Sequence, residues 1–204
     1  MLRFGVQLSQ ELAKEFNIPA PRVLSTRDVP GMPRSALPIL ASSGVEALSE
    51  GMNSRMVPVN VPPFFRWRDS ASNTTLLTLW HWHGYGQLGE PGNPIRVPGS
   101  DQALAYCWRG DNAGPPMDAA EVEKNRQGLI AAYPGAEVIS STLDDFVTAV
   151  KEDGAEASLP VIEDELSDTW IFGIGSDPVK TMKTRAINRA RTACEEVRHA
   201  VITS

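Results

Sequence analysis

The chain has 204 residues, 42% hydrophobic and 22% charged, with a formal net charge of −6. That size holds one domain, or one and part of another, with room for a true core. The acidic balance argues against a nucleic-acid backbone as main partner, which needs a basic face. No apolar run approaches the roughly 18 residues of a membrane span, and Met-Leu-Arg-Phe-Gly is no signal-peptide start. Compartment is left open. Cys107 and Cys194 make neither a disulfide framework nor a metal finger.

In chain order, Val6 to Phe16 reads as a short amphipathic helix with Leu8, Leu12 and Phe16 on one face. A strand over Arg22 to Thr26 follows, stopped by Arg27-Asp-Val-Pro-Gly31. Ser35 to Ser43 reads as helical, with Pro38 shifting its start and Gly44 ending it. Val45 to Leu48 is the next strand. Asn53 to Asp69 carries Pro58, Pro62 and Pro63 and is expected to be irregular. Thr74 to Trp82 has the clearest strand pattern in the chain.

A Gly-rich loop from Gly84 to Gly99 leads to an expected strand over Ala103 to Trp108. Asp118 to Tyr133 reads as a helix with Asp118 as cap and Glu121 three residues on. Ala136 to Ser141 is expected as a fifth strand, and Thr142 caps a helix from Leu143 to Lys151. Alternating helices and strands imply an α/β fold with a mainly parallel sheet, open or closed as a barrel. The pattern changes after residue 165. Asp177-Pro178 starts a long helix whose Ile187, Ala190, Cys194, Val197 and Val201 form a seam that wants partner helices. Two parts follow: residues 1–165, an α/β part, and residues 166–204, a junction and helix.

Parallel α/β sheets bind ligands at the carboxyl ends of their strands. Asp28 closes the first strand and can serve as nucleophile, base or metal ligand, or be a loop residue that caps the next helix or pairs with Arg27. His81 and His83 share one face of the third strand, where they could bind a metal or line a cleft. Trp80 and Trp82 take the other face, and with Trp67, Tyr85 and Trp108 they either pack a core or meet sugar C–H groups. Asp111 and Asn112 sit in the polar turn Gly110 to Pro116. The stretch Gly173-Ile-Gly175-Ser176 lacks the third glycine and preceding strand of a dinucleotide fingerprint.

Five stretches together resemble a known group. They are Arg27 to Gly31, Trp80-His-Trp-His-Gly-Tyr85, Gly110 to Pro116, Ser140-Ser-Thr-Leu-Asp-Asp-Phe146, and Asp168-Thr-Trp-Ile-Phe-Gly-Ile-Gly-Ser-Asp-Pro178. The group is domain of unknown function 5054, itself similar to glycoside hydrolase family 38, the zinc-dependent class II α-mannosidases. The resemblance implies a partial (β/α) barrel followed by the first helix of a helical bundle. It implies a nucleophile that is also a zinc ligand at Asp28, although the turn after it is altered. Asp111 is the expected general acid. Trp80, His81, Trp82, His83, Tyr85, Asn112 and Trp170 are the expected sugar-binding residues.

The family's His-x-Asp zinc pair has no counterpart before Asp28, since the first histidine is His81. Zinc is therefore expected only in an intact protein of which this chain is an internal segment, and the isolated chain is expected to be weakly active or inactive. Its partners would be a carbohydrate substrate and either the missing portions of the same protein or a second copy. Two alternatives stay open at this stage. One is a non-catalytic carbohydrate-binding or structural module. The other is a different metal-dependent hydrolase using His81, His83 and Asp111.

Overall fold

The computed structural model describes residues 2–53, 59–81, 85, 94–106, 114–166 and 178–202. These fall into two compact units, Met1–Ser167 and Asp168–Ser204. The first unit begins with helix α1 (Leu2–Glu15), strand β1 (Val23–Val29) and a 3-10 turn (Arg34–Ala36) that runs into α2 (Leu37–Ala41). Pro38 lies in the first turn of α2, where its missing N–H has no helical partner to lose. Gly44, at φ 89°, then turns the chain into β2 (Ala47–Met52).

The segment expected to be irregular contains a strand, β3 (Phe64–Asp69). Its prolines end at Pro63, the position where a strand can begin without losing a ladder donor. The Pro63 carbonyl accepts the Trp80 amide at 2.8 Å. A tight turn, in which Asp69 accepts from the Ser72 amide and hydroxyl, joins β3 to β4 (Thr74–His81). Strand β7 (Val161–Ile162) completes a sheet of order β1-β2-β4-β3-β7. The β1–β2, β2–β4 and β3–β7 pairings are parallel, and β3–β4 is antiparallel. The mixed α/β class and the mostly parallel sheet agree with the sequence pattern, and no closed barrel forms among the described residues.

Two expected strands are corrected. Ala103 to Trp108 contributes only β6 (Ala103–Leu104), paired antiparallel with β5 (Ile95–Arg96) in a separate two-stranded sheet. Ala136 to Ser141 forms no strand: Ile139 is 68% exposed, and the run pairs with no sheet edge to take up its backbone groups. The helices around it form as the caps require. In α3 (Ala119–Ala132) the Asp118 side chain accepts the Glu121 amide, and Thr142 with Asp145 makes a complete capping box on α4 (Leu143–Glu152).

The sheet is buried on both faces. On one, α1 and α2 bring Val6, Leu37 and Leu40 against Leu48, Phe65, Trp67 and Trp80. On the other, Phe146, Val147 and Val150 of α4 meet Phe64, Leu77 and Leu79. These alternating sets follow from the two-residue period of a strand, which sends Leu76 and Leu77 to opposite faces. The second unit contains helix α5 (Pro178–Ile202), whose Ile187, Ala190 and Cys194 are exposed. Val197 and Val201, also assigned to its seam, have side chains outside the described residues.

Candidate functional site

Strands β1, β2 and β4 run parallel, so their carboxyl ends lie along one edge. At that edge β1 carries one residue more than β2: Arg27 pairs with Gly51 and Val29 with Met52, leaving Asp28 between them. This bulge places Asp28 in the left-handed region, at φ 56°. Asn53, just after β2, donates from Nδ2 to Asp28 Oδ1 at 2.7 Å, and its backbone N–H donates to the Val29 carbonyl at 3.3 Å. A carboxylate is thus fixed at the end of a parallel strand by backbone shape and by an amide from the next strand.

One row below, Thr26, Glu50 and Trp80 stand side by side in register. Glu50 is fully buried, on the same face of β2 as Leu48 and Met52. The Thr26 hydroxyl donates to Glu50 Oε2, while Glu50 Oε1 and the Trp80 indole Nε1 have no hydrogen-bond partner among the described residues. Burial pushes the Glu50 carboxyl up to about 7 against the opposing pull of the Thr26 hydroxyl and the Arg27 charge. At neutral pH this acid therefore divides between its protonated and charged forms.

The other face of the same edge is built from different groups. The Arg27 guanidinium lies over the Tyr106 ring, 4.6 Å from its centroid, and donates to Ser49 Oγ. Ser49 Oγ and the Tyr106 hydroxyl are hydrogen-bonded at 2.8 Å, and the His81 and Tyr106 rings are 4.9 Å apart. Tyr106 comes two residues after β6, so this cluster fastens the β5–β6 pair to the strand edge.

The structure brings Asp28 to the carboxyl end of β1 and Trp80 and His81 to that of β4, as the sequence order required. Trp80 is only 5% exposed and packs against Phe65 at 6.4 Å, so its ring belongs to the core. His81 is half-buried and faces Tyr106, and Tyr85 is half-buried. Trp82, His83, Asp111, Asn112 and Trp170 lie outside the described residues. Glu50, Asn53, Ser49 and Tyr106 went unnoticed in the sequence. The one signal for Glu50 was a glutamate in an apolar stretch, just past the residue where the strand was expected to stop.

The expected zinc finds a single donor here. Asp28 offers one carboxylate, and its near neighbours Arg27 and Asn53 are a cation and an amide. Among the described residues, no group of three or more His, Cys, Asp or Glu is placed to hold a metal ion. One carboxylate does not make a zinc site, so the described residues do not fit the ion and no step is routed through it.

No family model matches the chain, and no curated protein matches it, so membership of the unknown-function group gains no support. A solved structure does resemble it. An α-mannosidase from Enterococcus faecalis V583 superposes with a TM-score of 0.56 at 15% identity, over 79% of this chain and 20% of that one. The chain thus spans about a fifth of that enzyme's length. At this identity the likeness is one of fold.

Proposed function

We propose that this chain is a segment of a family-38-like glycoside hydrolase that binds a carbohydrate at the carboxyl edge of β1, β2 and β4. The observation that carries the reading is Asp28. It is a carboxylate held by a strained bulge and by Asn53 at the end of a parallel strand, on a fold shared with an α-mannosidase. In the intact protein Asp28 would attack the anomeric carbon as an acid protonates the departing oxygen, and water would then release the sugar. Asp111 is the proposed acid. Trp82, His83, Tyr85 and Asn112 are the proposed sugar contacts, with His81 at the rim. Zinc, if the intact protein uses it, would take Asp28 and further ligands from outside the described residues.

The test is sugar binding rather than turnover, because a segment is expected to hydrolyse poorly. Methyl α-mannoside titrated by calorimetry into the chain should bind, and Asp28→Ala should weaken binding at least about tenfold, the loss of one charge-assisted contact. Failure of the wild-type chain to bind any hexoside, or equal binding by the variant, would overturn the reading. Binding by a full-length protein that never hydrolyses a mannoside would instead identify a non-catalytic sugar-binding module.

A further inference from the structure

Among the described residues of the strand edge, Glu50 is the one ionisable side chain that is fully buried, and the proposed chemistry makes no use of it. It occupies a particular place. Through Oε2 it accepts from Thr26, the residue two before Asp28, and through its strand it precedes Asn53, which holds the Asp28 carboxylate. Both strands that shape the bulge are therefore tied by this one carboxyl. Its other oxygen is buried with no hydrogen-bond partner among the described residues. A neutral carboxyl tolerates that setting far better than a carboxylate, whose desolvation is costly.

We propose that Glu50 is a positioning residue for Asp28: its carboxyl links β2 to β1 through Thr26, and placing a charge on its buried, unpartnered oxygen loosens the bulge that presents Asp28. The charged group acting on it is Arg27, from β1. Arg27 is already committed to Ser49 and the Tyr106 ring. The described neighbours of Glu50 in the sheet are uncharged: Thr26 of β1 and Trp80 of β4 stand in register with it, and Leu48 and Met52 share its face of β2. The effect on ligand binding rests on the glycosidase reading, whereas the effect on the edge does not.

Backbone amide protection in the whole chain, corrected for intrinsic exchange, tests the edge directly. Between about pH 5.5 and about pH 8, the Asn53 amide should lose protection roughly tenfold, while the Leu77 and Leu79 amides of β4 hold theirs. Glu50→Gln, neutral at every pH, should keep the Asn53 amide protected throughout. No loss at Asn53, an equal loss in β4, or the same loss in Glu50→Gln would overturn the proposal. Should Glu50→Gln fail to fold, Thr26→Val is the second variant. It should raise the Glu50 titration midpoint in carboxyl-carbon NMR and expose the Asn53 amide even at low pH, and no change in either would overturn the proposal.

Methyl α-mannoside binding on the same samples separates the two readings. Binding about tenfold weaker at the higher pH in the wild type, but not in Glu50→Gln, supports the positioning role. Binding independent of pH in the wild type overturns it. No binding at either pH overturns the glycosidase reading, and the amide result then decides the role of Glu50.

Discussion

Asp28 holds a left-handed backbone that costs an L-residue about 1 kcal/mol, and its hydrogen bond with Asn53 returns about as much. Asp28→Gly removes both terms, so its stability in urea should stay within about 1 kcal/mol of the wild type, although the proposed sugar binding should weaken. Asp28→Val, β-branched in the same conformation, should lose about 2 kcal/mol or more. Glu50 carries a pH dependence of definite sign. Its carboxyl is raised from 4.5 to about 7 in the folded chain, so the folded state binds the extra proton between those values. The resulting stability is full below about 4.5 and lost as pH rises through about 7, a change of about 3 kcal/mol. Urea midpoints measured across that range should fall in the wild type and stay level in Glu50→Gln.

Among the elements, α4 combines local and long-range roles. Its capping box fixes where the helix begins, and Phe146, Val147 and Val150 fix which face meets the sheet. Asp144, in its first turn, accepts the backbone amides of Arg22 at 3.0 Å and Val23 at 2.8 Å. That contact satisfies two donors at the start of β1 and carries the helix position to the strand that bears Asp28. Thr142→Ala should cost about 1 kcal/mol, the worth of a helix cap. Asp144→Ala should cost more, about 2 kcal/mol, because it leaves two strand amides without their acceptor. Phe146→Ala opens the core and should cost about 3–4 kcal/mol. Chemical denaturation of the three variants tests that order. Glu46 adds a second tie between these elements. Hydrogen bonding and charge from Lys151, with help from Arg22, hold its carboxyl below the usual range.

At the scale of the whole molecule, both hydrophobic cores are drawn from the first unit, between Val6 and Leu166. A chain ending at Ser167 should therefore keep the near-ultraviolet circular dichroism of a packed core and melt in one cooperative step. A broad, non-cooperative melt would show that the unit does not stand alone. No helix among the described residues is long and apolar enough to cross a membrane.

Much of this organisation was legible along the chain, and the parts that were not share a physical cause. Helices α3 and α4 announced themselves through Asp118 and through Thr142 with Asp145, because a cap is satisfied within four residues of itself. The period-two run of β4 and the Asp28 turn were equally local. Strand β3 was hidden behind Pro62 and Pro63, and the run Ala136 to Ser141 looked like a strand and formed none. A strand exists only when another segment meets its hydrogen bonds, and that partner lies far away in sequence. Glu50 is the sharpest case. By itself the sequence determined only that a glutamate follows an apolar run expected to end at Leu48. Only the tertiary structure decided that this glutamate lies in a strand beside the Asp28 bulge and is buried, and so raised to about 7, because strand pairing and burial belong to the segments that meet and close over a residue.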